Sequence, residues 1–600
     1  MKNVILDFES YYDKEVSVVT LGVPNYVAAA DAYIVGVQIA GQDAQCGTLE
    51  EMEDFCCNLA EDPSVRPVAA NSNFDQAWWE KYFPAFEQPW HCLLDHAAFH
   101  QYPRNLIGLS GVVLGNKVDK STRDAMKGVF YEDLSDVATP GSPLPTKTQV
   151  QEYCANDCLV EAQCLEKLGP MSPFEEKLAA HTRMMNRRGV AINMELVEQD
   201  KTRLEAMRFE ALKAIPWHAD FKPLSYVALV TYCGSRGIPV PVSTAKTDEA
   251  CSDLMTDNPE LGAVIGTMRR FRRSNMMLKK IETLRARTTP EGILPLDFLY
   301  CGAPHTRRWS SKGFNVQNLD KEPLDVGNGQ TVWTRNWIVP RAGYTFLILD
   351  YAQIEPRCLN WLAGNDEMMS ALRHGFSYYE AYLAAAKQAQ RVGWSGKPGT
   401  LKAEIGVAKY TKVKNESLGC GYGMGASKYT SYANVSSVEA KQVIAGFRAG
   451  NPKIVALWGK LDNLISQSSR DKSKHLGLVL PSGDLLQYFN IRGRSSSYEG
   501  FVTQGDFGHT SLQSRLWGGT LTENITQRMA RDVLASAIIR LEEAGLRVAF
   551  HCHDEVILEV PLDSKTEARA EAEQIMTKPP EWAADLPLGV DGGFAESYTK

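Results

Sequence analysis

The sequence has no apolar run long enough to cross a bilayer. Its hydrophobic stretches, such as Val4-Ile5-Leu6 and Phe346-Leu347-Ile348-Leu349, fall far short of the roughly 20 residues a membrane helix needs. It carries 13 cysteines but no paired CxxC motifs, so neither a zinc ribbon nor a disulfide framework is expected, and the reduced thiols of a cytosol fit better. Repeats and low-complexity linkers are missing. Met1-Lys2-Asn3 lead straight into a strand, without the apolar segment and cleavage site of a secretory signal, which predicts a protein that stays where it is made. An excess of positive charge is missing too. With a net charge of −8, any contact with nucleic acid must come from a local basic track.

What is present is the composition of a globular chain, 44% hydrophobic and 23% charged, in 600 residues, too many for a single core. From Met1 to about Leu168 short apolar strands alternate with helical stretches, the pattern of an α/β domain. Residues 173–287 read as helical and end in the basic run Arg269-Arg270-Phe271-Arg272-Arg273, followed by Lys279-Lys280 and Arg285. Strands return beyond Leu294, a helical insertion runs over residues 365–474, and strands resume near Leu478.

Acids gather in the first domain. Asp7 and Glu9 end the first strand, and residues two apart point to one side of a strand. Asp75 follows the apolar Val68-Ala69-Ala70 within Asn71-Ser72-Asn73-Phe74-Asp75. Tyr153 and Asp157, four apart in a helical pattern, share a helix face. Four converging acids repel one another unless cations neutralise them; a pair of Mg2+ or Mn2+ ions about 3.5–4 Å apart does so, activates a water and stabilises the leaving oxygen of a phosphodiester. The D-x-E, N-x-x-F-D and Y-x-x-x-D segments, in this order, resemble the three motifs of the DEDD-type 3′→5′ exonucleases, in the subgroup with tyrosine. That resemblance implies metal ligation by Asp7, Glu9, Asp75 and Asp157, with Tyr153 orienting the attacking water.

The C-terminal half carries a second set. Phe346-Leu347-Ile348-Leu349 is an apolar strand that stops at Asp350, and Val548 to Leu558 reads as two strands joined by the tight turn His553-Asp554-Glu555. These segments resemble motifs A and C of the family A, polymerase I-like, DNA polymerases, with Ala352 where serine is usual and Pro356 where leucine is usual. Tyr410 to Gly423 resembles motif B. Its Lys414, Leu418 and Tyr422, spaced by four, are expected on one helix face, while Gly419, Gly421 and Gly423 are unfavourable for an ordinary core helix at about 1 kcal/mol apiece. The family usually has arginine where Tyr410 stands and an aromatic where Leu418 stands; Lys409 or Lys412 is the candidate replacement for the arginine. Thr306-Arg307-Arg308-Trp309-Ser310-Ser311 with Asn315-Val316-Gln317-Asn318, and Glu523 to Asp532, resemble two further family segments. Their donors test the minor groove, where acceptors occur on every correct pair.

The resemblance implies a multidomain α/β and α+β chain: an RNase H-like exonuclease domain (residues 1–170), thumb and connecting helices (171–300), the first part of a palm (301–364), fingers (365–474) and the second part of the palm (475–600). It implies polymerase catalysis by Asp350, Asp554, Glu555 and Lys414, with Asp350 and Asp554 holding metal. The implied nucleotide site comprises Gln353, Glu355, Tyr410, Lys414, Leu418 and Tyr422, where Glu355 blocks a ribose 2′-hydroxyl. The implied DNA contacts are Arg308, Gln317, Asn318, Gln527, His553, Arg272 and Arg273. Two Mg2+ ions per site are expected, with Mn2+ as substitute. Primer-template DNA and dNTPs are the expected partners, replisome accessory proteins are further ones, and no membrane is involved. The absence of a 5′-nuclease domain ahead of Asp7 is similar to bacteriophage replicative enzymes, which points to the cytoplasm of an infected bacterium. A nuclease with a vestigial polymerase platform, a non-catalytic scaffold and a single-subunit RNA polymerase are the rival readings. Asp350 and Asp554 argue against the first, the full sets of acids against the second, and Glu355 with the exonuclease-like segments against the third.

Overall fold

The computed structural model describes all residues except 117, 139, 386–388, 474, 490, 492–500, 503–511, 514–515 and 600, and the side chains of 385, 501–502 and 512–513 are also outside it. Lys474, the end of the expected helical insertion, and the terminal Lys600 lie outside the described residues.

Strands β1 (Lys2–Ser10), β2 (Ala32–Ile39), β3 (Gln45–Thr48), β4 (Val65–Ala69) and β5 (His91–Cys92) form one sheet in the order β3-β2-β1-β4-β5. The central strand β1 pairs antiparallel with β2 and parallel with β4. Its alternation decides what each face sees. Val4, Leu6 and Phe8 join a core with Trp78 and Trp79, which lie on α1 (Ser72–Tyr82). Ile5 faces Val68 and Cys158 on the other side, and Asp7 and Glu9 share that side by the two-residue period. Helix α2 (Lys147–Lys167) packs against β1 and β2 there. Its start is fixed by a capping box: Gln149 N donates to Thr146 Oγ1 and Thr146 N to Gln149 Oε1, which satisfies two otherwise orphaned amides.

Helices follow: α3 (Pro173–Arg188), α4 (Met194–Lys213) and the long α5 (Pro259–Arg287), the last two packed against each other. Gly189 ends α3 at φ 56°, where a Cβ would lie 2.4 Å from the Leu294 carbonyl oxygen. Only glycine fits such an approach. The N-terminal half of α5 covers a satellite core that includes Trp217, Leu229, Leu261 and Ile265.

The second sheet begins with β6 (Tyr344–Tyr351), in which Phe346, Leu347, Ile348 and Leu349 are all buried, as a strand covered on both faces requires. Helix α6 (Ile354–Leu362) follows directly. A separate cluster around Tyr378, Tyr382, Phe447 and Trp458 holds the helical insertion, including α7 (Leu401–Gly419). The hairpin β7 (Leu476–Val479) and β8 (Leu485–Tyr488) leads on to α8 (Gly518–Glu543), then β9 (Val548–Cys552), β10 (Glu555–Pro561) and β11 (Val590–Ala595). The sheet order is β9-β10-β6-β11, antiparallel throughout. Leu521, Met529, Val533 and Ile538 of α8 are buried in the same core as this sheet, as are the charged Arg528, Arg531 and Asp532 on the same helix.

The two sheets' domains are stitched together at β8. The Gln101 side chain donates to the Gln487 carbonyl at 3.2 Å and accepts from the Gln487 amide at 2.9 Å, imitating a paired strand. Beside it the Arg307 guanidinium lies 4.0 Å over the Phe99 ring.

Candidate active sites

The first site lies between β1 and α2. Ligand oxygens of Asp7, Glu9 and Asp157 all fall within 4.8 Å of one another. Asp75, in the first turn of α1, is buried and accepts from the Phe8 amide at 3.3 Å. Burial and then Asp157 push the Asp7 carboxyl up to about 7. Burial and then Asp7 raise both Glu9 and Asp75. These shifts have the expected sign for carboxylates crowded in a dry site. Tyr153 and Asp157 share one face of α2, and Lys120 joins them, donating to the Tyr153 hydroxyl at 2.6 Å and to Asp157 Oδ2. Asp157 Oδ1 is buried without a hydrogen-bond partner among the described residues. Closely set hard oxygens, one of them orphaned, fit a divalent cation. Two participants escape sequence reading. Glu161 is one turn beyond Asp157 and is raised by burial and then by Asp7; its spacing of four from Asp157 was the available signal. Lys120 belongs to no motif.

The second site lies at the ends of β6 and β10. Asp350 stands opposite Glu555 on one side and Asp591 on the other, and directly opposed residues of antiparallel strands share a face. Asp554 sits in the two-residue turn between β9 and β10, where His553 takes the left-handed conformation at φ 56°. The Tyr351 amide donates to the Asp554 carbonyl at 3.1 Å, which brings the turn against the end of β6. A pocket opens here, lined by Asp554, His553, Arg308, Gln317, Glu355 and Gln527. Arg308 and Glu355 form an ion pair at 3.4 Å, and the Tyr422 hydroxyl donates to Glu355 at 3.4 Å. Burial and then Glu355 raise the Tyr422 phenol, so it remains a donor.

Other expected residues lie further out. Gln353, at φ 50°, turns its side-chain oxygen to the Tyr378 amide at 3.4 Å. Lys414 is exposed on α7, and Leu418 packs at the edge of the helical cluster. The shared helix face expected for Lys414, Leu418 and Tyr422 is corrected. α7 ends at Gly419, and Tyr422 lies in the turn beyond it, because Gly423 at φ 75° brings the chain to where a Cβ would be 2.2 Å from the Trp517 ring. Gly419 and Gly421 are explained similarly, the former tight against Tyr432 and the latter against Leu359. Tyr410 meets Tyr379 edge to face at 5.5 Å between centroids. Of the two candidate replacements for the missing arginine, Lys412 is paired with Glu439 at 3.3 Å and Lys409 is exposed.

Gln317 and Asn318, adjacent in sequence, part company: Asn318 lines a different cleft, with Lys279 and Lys280 of α5. Arg272 and Arg273, with Arg269 and Arg270, line a cavity of about 660 Å3 on α5. Within it Arg273 is paired with Asp320 and Arg272 donates to Thr244 at 3.2 Å.

Comparison with known proteins gives a consistent pattern. The model of DNA polymerase family A matches residues 243–473. The DNA polymerase of Bacillus phage SP02 is 26% identical over an alignment covering 100% of both chains. DNA polymerase I of Lactococcus lactis subsp. lactis (strain IL1403) is 24% identical over 81% of this chain and 48% of its own length. Among solved structures, the POL domain of Pol1 from M. smegmatis, in a complex with DNA primer-template and dNTP, superposes with a TM-score of 0.68 at 17% identity, over 100% of this chain and 95% of that one. None of the described helices is long and apolar enough to cross a membrane. With that fold, a family match over residues 243–473 and a phage relative aligned end to end, the chain is similar to the DNA polymerases of family A, and these findings support template-directed DNA synthesis.

Proposed function

We propose that this chain extends a primer 3′-hydroxyl with dNTPs at the Asp350–Asp554 site and removes misincorporated nucleotides 3′→5′ at the Asp7–Asp157 site, in replication of a phage genome inside its bacterial host. The observation that carries the reading is the pair of carboxylate groups at the ends of separate sheets, the first with its ligand oxygens within 4.8 Å of one another. Asp350 and Asp554 would hold metal in one site, and Asp7, Glu9, Asp75 and Asp157 in the other. Mg2+ ions bound in pairs supply charge neutralisation at phosphate and acidify the attacking hydroxyl or water.

The protein's own side chains do the rest. The Tyr153 hydroxyl, fixed by Lys120, orients the attacking water. Glu355, held by Arg308 and Tyr422, closes the space a ribose 2′-hydroxyl would need. Lys414 meets the triphosphate and donates a proton to the leaving pyrophosphate. Arg308, Gln317 and Gln527 give donors to minor-groove acceptors that every correct pair carries. The arginines of α5 track backbone phosphates. The domain division proposed is exonuclease 1–170, thumb 171–300, palm 301–364 and 475–600, and fingers 365–474. Full-length similarity to a phage enzyme supports the replicative setting.

The test is a pair of assays on one labelled primer-template. Asp350→Ala and Asp554→Ala should abolish extension and spare 3′→5′ degradation, while Asp7→Ala should do the reverse. A substitution that left its assigned activity intact would remove that assignment.

A further inference from the structure

Behind the polymerase pocket lies a group of buried charges that no step above uses. Arg531 of α8 donates to both oxygens of Glu175 on α3, from Nη1 at 2.5 Å and Nη2 at 2.9 Å. Arg528 donates to Glu175 at 3.2 Å and to Asp532 at 3.1 Å, and also pairs with Asp484, just ahead of β8. Arg307 completes the set by donating to Asp484 at 3.3 Å. Three carboxylates thus face three guanidiniums. Glu175, Asp484 and Asp532 approach closely enough for a cation, but each already pairs with arginine. The group is a closed ion network, and deleting one member would leave a buried charge uncompensated.

This network reaches into the pocket. Arg531 lines it together with Arg308, Trp309 and Gln527, and its guanidinium lies 4.9 Å from the Trp309 ring centroid. Trp309 is anchored in turn, its indole N–H donating to Thr182 at 2.9 Å. Arg308 is the chain neighbour of Trp309, and Gln527 stands one turn before Arg531 on the same face of α8. Both pocket donors therefore hang on Arg531, one through the stacked indole and the other through the helix.

We propose that Glu175 is a positioning residue for the primer's terminal base pair: by clasping Arg531 against Trp309 it fixes the separation of the donors Arg308 and Gln527. The inference rests on the reading of this pocket as the seat of that pair. Acceptors occur in the minor groove of all four correct pairs, so donors at a fixed separation tolerate any sequence and reject a misshapen pair. Loosened donors lose that discrimination.

The experiment measures single-nucleotide extension by the full-length protein from matched and mismatched primers, both ended with a hydrolysis-resistant phosphorothioate linkage. For Glu175→Gln, KM for primer-template should rise about fivefold with kcat held within about twofold, and the mismatched-to-matched extension ratio should rise about tenfold. Lys177→Ala, which breaks a surface ion pair with Glu543 between the same two helices, should leave the ratio unchanged. Gln527→Ala is the reference. If it raises the ratio and Glu175→Gln does not, the proposal is overturned and the pocket reading stands. If neither moves the ratio, both fall. An equal loss on both primers, with the ratio fixed, assigns Glu175 a purely structural part and likewise overturns the proposal. Should Glu175→Gln melt below the assay temperature, Arg531→Lys replaces it: a lysine keeps the charge but loses the planar stack and forked donors. The ratio should rise there too, and an unchanged ratio rejects the proposal.

Discussion

Asp7 is held against its surroundings, since burial and the facing Asp157 push its carboxyl up to about 7. In EDTA, Asp7→Asn should therefore melt no lower than the wild type, because the substitution removes a charge that its environment opposes. Adding Mg2+ should stabilise the wild type by about 2.7 kcal/mol at a hundredfold excess over Kd per site, and the variant by less. Equal responses in a thermal melt would reject the assignment of Asp7 as a ligand. Glu175 has the opposite shift. Burial raises its carboxyl, but Arg531 and then Arg528 overcome this and hold it down to about 2, from an ordinary 4.5. A depressed carboxylate stabilises the fold above its unfolded pKa, and the contribution is lost as pH falls toward the folded value. Urea melts at about pH 5 and pH 3 should show a steeper acid loss in the wild type than in Glu175→Gln. Parallel losses would contradict the ion network.

At the scale of elements, the end of α7 depends on a distant partner. Gly423 has φ 75°, and a Cβ there would meet the Trp517 ring at 2.2 Å. Gly423→Ala should cost about 1–2 kcal/mol for the left-handed backbone alone, with the clash in addition, read from urea denaturation. KM for dNTP should rise as Tyr422 leaves Glu355; an unaltered stability and KM would show that the turn does not hold this tyrosine. The same element shows where sequence reading stops. The strands carrying Asp7 and Asp350 and the turn carrying Asp554 were legible because their signal is local: two-residue alternation, a buried run ending at an acid, a tight turn between apolar segments. Tyr153 and Asp157 were legible from helical spacing. The helix face proposed for Tyr422 was not, since Trp517, almost a hundred residues on, decides where the helix stops. Lys120 and the partners of Glu175 were hidden for the same reason, being chosen by tertiary packing.

At the scale of the molecule, a chain with a net charge of −8 concentrates cations on α5, where Arg269, Arg270, Arg272 and Arg273 line one cavity. Binding of primer-template should weaken with salt. The double substitution Arg270→Ala, Arg272→Ala should reduce the log–log salt slope by roughly two, as expected for two lost phosphate contacts. Fluorescence anisotropy across a KCl series measures it, and an unchanged slope would exclude these side chains from the duplex path. The amide clasp of Gln101 on Gln487 sets a further constraint. Removing the N-terminal domain would strip β8 of its stand-in neighbour and Arg307 of the ring beneath it, leaving hydrogen-bonding groups bare. The N-terminal domain is thus part of the scaffold of the C-terminal one, which could not lose it without re-covering that seam.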